Sequence, residues 1–90
     1  MYSLKYSSRF KKDLKRFSHN RYLLLELEKT LDTLAQGREL PKKNCNHQLK
    51  GEFKGCFECH LRPDILLIYK IEKSALILLI LRLGSHADLF

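Results

Sequence analysis

The sequence predicts a single α+β domain over residues 1–90, with two N-terminal helices packed on one face of a small, mainly antiparallel sheet, in the order β-α-α-β-β-β. Three observations predict it. Apolar residues recur at helical spacing in two stretches between residues 8 and 35. From Phe53 onward the pattern changes to short alternating or continuous apolar runs separated by turn residues. Ninety residues, 44% of them hydrophobic and 30% charged, suffice for one core but make a second unlooked for.

The elements follow in order. Tyr2 to Tyr6 alternates as a short strand, and Ser7 or Ser8 is placed to cap a helix. Phe10, Leu14 and Phe17 form the apolar stripe of that helix, with Lys11, Lys12, Lys15 and Arg16 on its outer surface. Ser18-His19-Asn20 breaks the pattern, and His19 looks incidental there. A second helix is expected from about Arg21 to Ala35, with Leu23, Leu24, Leu27, Leu31 and Leu34 facing the core and Gly37 as its stop. Arg38 to Asn46 reads as a polar loop. Gly55 to Leu61 alternates, and Arg62-Pro63-Asp64 is a turn signal. Ile65 to Ile71 reads as a central strand covered on both faces. Glu72-Lys73-Ser74 turns the chain into a last buried strand, Ala75 to Leu83, which Gly84 ends, leaving residues 85–90 as a tail. The sheet face opposite the helices, carrying the polar residues of the Gly55–Leu61 strand, is the expected working face.

The net charge of +7 is unevenly placed. Residues 1–54 hold thirteen Lys or Arg against six Asp or Glu, whereas residues 55–90 hold four of each. Such a field draws polyanions, so a nucleic acid or an acidic protein is the expected partner. Residues 1–20 lack a secretory apolar stretch, and the longest apolar run, Ala75 to Leu81, is too short to span a bilayer. No membrane partner and a cytoplasmic location are expected, with the three cysteines as thiols.

Cys56-Phe57-Glu58-Cys59-His60 spells the haem c attachment string, but residues three apart on a strand face opposite ways and cannot share one porphyrin edge. The same geometry weighs against a zinc module built from Cys45, His47, Cys56 and Cys59. On a strand, Cys59 joins Phe57 and Leu61 in the core. Cys56, Glu58, His60 and Arg62 share the polar face.

His47, His60 and His86 lie at element edges or in loops of the second half, where sites concentrate. Histidine suits RNA cleavage because it titrates near neutrality. Transesterification needs a base for the 2′-hydroxyl, an acid for the 5′-oxygen and cations for the phosphorane. Histidine, aspartate, lysine and arginine suffice, so no cofactor or metal is expected.

Four ordered segments carry a resemblance. They are His47-Gln48-Leu49-Lys50-Gly51, Glu58-Cys59-His60-Leu61-Arg62-Pro63-Asp64, Ile68-Tyr69-Lys70 and Arg82-Leu83-Gly84-Ser85-His86-Ala87-Asp88-Leu89-Phe90. They resemble the YafQ branch of the RelE/ParE toxin superfamily, whose pattern runs H-x-L-x-G, then (R/E)-(D/E)-x-H-(L/V)-x-P-D, a strand ending in Tyr, and a terminal G-(S/T)-H-x-x-L-F. The N-terminal strand and helices agree in order and length but carry little motif information.

The resemblance implies a RelE-like fold and the toxin of a type II toxin–antitoxin system. It implies a metal-independent endoribonuclease acting on ribosome-bound mRNA, held inactive by a cognate acidic antitoxin and touching operator DNA only through the antitoxin complex. It also implies site residues. His47, His60, Asp64 and His86 form the acid–base group, with His86 as the general acid. Phe90 stacks or positions a base, Arg82 stabilises the phosphorane, and Glu58, Lys50 and Lys54 complete the substrate-binding set. Asp64 reads equally as the plain turn residue after Pro63, and Phe90 as a cover for the sheet edge. Because Phe90 ends the chain, its carboxylate is expected near the RNA site. The alternatives are a non-catalytic member of a toxin–antitoxin pair and, further off, the small zinc-binding module.

Overall fold

The computed structural model of the chain describes residues 1–90. Its elements are β1 (Ser3–Tyr6), α1 (Ser8–Lys15), α2 (Arg21–Ala35), β2 (His47–Gln48), β3 (Phe57–Arg62), β4 (Ile65–Glu72), β5 (Ile77–Gly84) and α3 (His86–Leu89). Short 3-10 helices at Lys42–Asn44 and Gly51–Phe53 flank β2. The sheet order is β1-β5-β4-β3-β2, antiparallel throughout except for the parallel β1–β5 pair. The α+β architecture and the central place of β4 agree with the sequence reading. The expected tail is instead a helix, and the loop before β3 contributes an edge strand. No helix is long and apolar enough to cross a membrane.

α1 and α2 cover one sheet face. Phe10, Leu23, Leu27, Leu31 and Leu34 pack there on Cys59, Leu61, Leu67, Tyr69, Leu78, Ile80 and Leu83. Ser7 is the α1 cap, accepting from the Phe10 amide at 2.9 Å, and Asn20 caps α2 by accepting from the Leu23 amide. Gly37, with φ +75°, takes the left-handed conformation that ends α2. On β4 the alternation is strict. Leu67 and Tyr69 face the helices, while Leu66 and Ile68 join Cys56 and Leu89 in a second cluster on the opposite face.

β5 departs from alternation. Tyr69 pairs with Ile80 and Ile68 with Arg82, leaving Leu81 as an extra residue. The bulge shifts the side-chain phase by one. Leu78, Ile80 and then Leu83 face the main core, and Arg82 is carried out of it. Uninterrupted alternation would put Arg82 in line with Leu78 and Ile80.

β1 pairs only with Ile77–Ile80, so the second half of β5 has no neighbouring strand on that side. α1 supplies the missing partners. The Ser7 amide donates to the Ile80 carbonyl at 2.9 Å, and the Ser7 hydroxyl donates to the Leu81 carbonyl at 2.6 Å. Asp13, 5% exposed, accepts from the Leu83 amide at 3.0 Å and from Arg82 Nε and Nη2 at 2.8 and 3.2 Å. The lone acid among the lysines of α1 thus serves as a surrogate strand.

Two expectations can be measured. Asp13→Ala strands the Leu83 amide and the Arg82 guanidinium, a loss of about 3 kcal/mol for a broken buried pair. In a domain of this size that lowers the melting temperature by roughly 12 °C or more, read by thermal unfolding followed by circular dichroism. The thiols should also separate. Cys45 is exposed, whereas burial, with the charge of Glu58 adding to it, pushes the Cys59 thiol up to about 12. Burial raises Cys56 as well, against the opposing charge of Lys70. Because the thiolate is the reactive form, native protein at mildly alkaline pH should titrate as one fast cysteine, with Cys59 reacting only on unfolding.

Candidate active site

The sheet face away from α1 and α2 is floored by Cys56, Leu66, Ile68 and Leu89, with Leu49, Phe53 and Leu81 packed around them. Directly opposed residues on antiparallel strands share a face. Register therefore sets two rows across it, His47–Glu58–Ile68–Arg82 and His60–Leu66–Gly84. His60 and Gly84 are two strands apart, about 10 Å between backbones. Gly84 leads into α3, which carries His86. The Pro63–Asp64 turn lies at the same end of the sheet, bracketed by the Arg62–Ile65 pair. The fold thus gathers His47, Glu58, His60, Asp64 and His86 around one face and one end.

β2 has two residues, and His47 projects from it with half its side chain exposed. Its Nδ1 meets the Cys45 carbonyl at 2.7 Å, and its Nε2 lies 2.9 Å from Glu58 Oε2. His60 Nε2 is 3.9 Å from the same oxygen. The family resemblance places Glu58 among the substrate contacts. Instead its side chain is 7% exposed beneath His47, and its Oε1 is buried without a hydrogen-bond partner.

Beside His60, the buried Asn44 donates to the His60 carbonyl at 2.7 Å, fixing the 3-10 helix before β2 onto β3. Tyr69 donates to Asn46 at 2.5 Å, tying the same segment to β4. Burial raises the Tyr69 hydroxyl well above its ordinary range, keeping it a donor.

α3 is held by its sequence. Ser85 and Asp88 form a capping box, each side chain accepting from the other residue's amide at 3.1 Å. Asp88 also pairs with Arg16 of α1 at 3.4 Å. The Ser85 amide first, then its hydroxyl and Arg16, hold the Asp88 carboxyl below its usual range. A Cβ on Gly84 would come within 3.2 Å of Asp88, so a side chain at 84 would push the start of α3 outward by a few tenths of an ångström. On α3 the His86 and Phe90 rings lie 4.7 Å apart, and Phe53 meets Phe90 edge-on at 5.5 Å. Phe90 remains half exposed.

Arg82 is expected in the site from the sequence, yet the structure commits its guanidinium to Asp13, leaving the side chain 16% exposed. Hydrogen bonding to Asp13 raises it further above its already high range. Lys50 and Lys54 flank the Gly51–Phe53 helix and are exposed. The suggested zinc set does not assemble. Cys56 lies in the second cluster rather than at the polar surface, Cys59 lies in the main core, and no group of three His, Cys, Asp or Glu side chains is arranged to hold a metal ion.

Three contributors were missed from the sequence: Phe53, Asp13 and the Arg16–Asp88 pair. The Ser-x-x-Asp spacing at 85–88 was the available signal for α3. An aromatic residue between Gly51 and Gly55 was the signal for Phe53.

Known proteins resemble this chain in sequence and in fold. The family described as "Bacterial toxin of type II toxin-antitoxin system, YafQ" matches residues 2–90. The mRNA interferase toxin YafQ of Escherichia coli strain K12 is 35% identical over 89 residues, covering 97% of this chain and 94% of that protein. The crystal structure of a metal-bound toxin from Helicobacter pylori is 43% identical, with a TM-score of 0.92 and both chains covered in full. A chain of the E. coli DinJ–YafQ complex is 31% identical with a TM-score of 0.88, covering 100% of this chain and 99% of its own. Matched along almost its whole length in sequence and fold, this chain belongs to the YafQ family of type II toxin–antitoxin toxins.

Proposed function

We propose that the chain is an endoribonuclease that cleaves mRNA on the ribosome by acid–base transesterification and is silenced by a cognate acidic antitoxin. The observation that carries the reading is the set of three histidines and Asp64 around one face of the sheet, in a chain similar end to end to an mRNA interferase.

The 2′-hydroxyl attacks phosphorus, the P–O5′ bond breaks, and a 2′,3′-cyclic phosphate and a 5′-hydroxyl result. One histidine or Asp64 takes the 2′-hydroxyl proton, and His86 returns a proton to the departing 5′-oxygen. Lys50 and Lys54 offer charge to the backbone from an exposed loop, and Phe90, half exposed above Phe53, offers a stacking surface for a base. Arg82, already neutralised by Asp13, acts through the fold rather than on the phosphorane. The residues suffice without a cofactor. Since a relative from H. pylori was solved with metal bound, cleavage is to be measured with and without EDTA.

The E. coli relative is found with DinJ, and a chain of net charge +7 calls for an acidic wrapping segment. Operator DNA is then reached only through that complex.

His86→Ala and His60→Ala should each slow cleavage of ribosome-bound message by about 10²–10⁴-fold, in EDTA, while antitoxin binding is kept. Wild-type-like cutting by His86→Ala would remove it from the site, and no cutting by the wild-type protein on free or ribosome-bound RNA would leave a binding role. Charge reversal at Lys11, Lys12 and Lys15 should weaken the antitoxin complex and flatten its salt dependence. Unchanged affinity across a salt titration would direct the antitoxin away from α1.

A further inference from the structure

Glu58 is the one carboxylate that is buried, faces two histidines and keeps an oxygen without a partner. A buried polar atom left unpaired is costly, so its place calls for an explanation. Protein chemistry allows few ways to read its contacts. His47 Nδ1 faces the Cys45 carbonyl, which only accepts, so that nitrogen carries hydrogen. His47 Nε2 lies 2.9 Å from a carboxylate oxygen, a distance at which two lone pairs repel. One hydrogen therefore lies between them. Where His47 holds it, His47 donates from both nitrogens and has no lone pair with which to act as a base.

His60 differs. Its Nε2 approaches the same carboxylate but stops at 3.9 Å, beyond hydrogen-bond reach. Its carbonyl is pinned by Asn44, which fixes its backbone, and its ring is 29% exposed. Glu58 Oε1 is buried and has no hydrogen-bond partner in the protein.

We propose that Glu58 is the positioning residue of the site: one oxygen anchors His47 as a fixed double donor, and the unpartnered oxygen receives Nε2–H of His60, turning Nδ1 of His60 toward the substrate as the base. Nδ1 of His60 takes the 2′-hydroxyl proton as the O2′–P bond forms. The imidazolium so produced stands beside an anionic carboxylate, and His86 supplies the proton that leaves with O5′. The proposal rests on the ribonuclease reading and assigns roles within it. The other charges near Glu58 do not compete for it. Arg82, in the same row, is bound to Asp13, and Lys70, on the same face of β4, lies 3.3 Å from Glu72.

The test combines kinetics with a readout independent of cleavage. Glu58→Gln keeps the shape and removes the charge, whereas Glu58→Asp keeps the charge. Glu58→Gln should lower kcat at least 30-fold with KM within about 2-fold and antitoxin binding retained, and Glu58→Asp should recover a third or more of the lost activity on a logarithmic scale. Glu58→Gln cutting within 2-fold of wild type, or Gln outperforming Asp, would overturn the proposal. In the wild-type protein, long-range proton–nitrogen correlation at neutral pH should show hydrogen on both ring nitrogens of His47. A bare Nε2 on His47 would sink the proposal even if neither variant folds. A wild-type protein that carries both ring hydrogens but cuts no RNA would retain the Glu58 clamp and reject the ribonuclease reading instead.

Discussion

Asp13 brings a carboxylate into the seam between α1 and the half of β5 that β1 leaves uncovered, and three donors meet it there: Arg82 Nε, Arg82 Nη2 and the Leu83 amide. A strand edge with open amides invites foreign pairing, and here a helix side chain closes it. The same contact stabilises the β5 bulge, since Arg82 is held outside the core while Leu83 is turned inward. α1 is thereby locked to the strand that launches α3. From one turn further along, Arg16 reaches Asp88 of α3. The placement of His86 descends from Asp13 through backbone geometry more than through the solvent-screened Arg16 pair.

The two faces of the sheet do different work. The helix-covered face holds the larger apolar cluster. The opposite face holds a small cluster of Cys56, Leu66, Ile68 and Leu89, closed over by loop residues and α3 rather than by a full helix. That thin cover leaves histidines at its margin accessible while excluding water from Glu58. Charges at such a margin interact more strongly than in bulk water. The site is therefore an edge phenomenon: donors at the surface, carboxylate beneath, apolar floor under both.

A basic first half and a site assembled from the second half make a division of labour consistent with a polyanionic substrate and an acidic partner. In this chain the field is spread over α1 and the loop to β3, while the candidate histidines come from β2, β3 and α3.

The helices were legible because their apolar spacing is local and strong, as in Phe10 and Leu14 or Leu23, Leu27, Leu31 and Leu34. β4 was legible because burial on both faces demands a continuous apolar run. The candidate histidines stood out by residue type and by motif. The β1–β5 parallel pairing, the bulge at Leu81 and the two-residue β2 were not legible, because each depends on a neighbour far away in the chain. For the same reason the sequence by itself determined which side chains are available for chemistry, and tertiary structure decided which of them are free to perform it. Arg82 looks like a substrate cation until Asp13, 69 residues away, neutralises it, and Glu58 looks like a surface acid until the strand register buries it beneath His47.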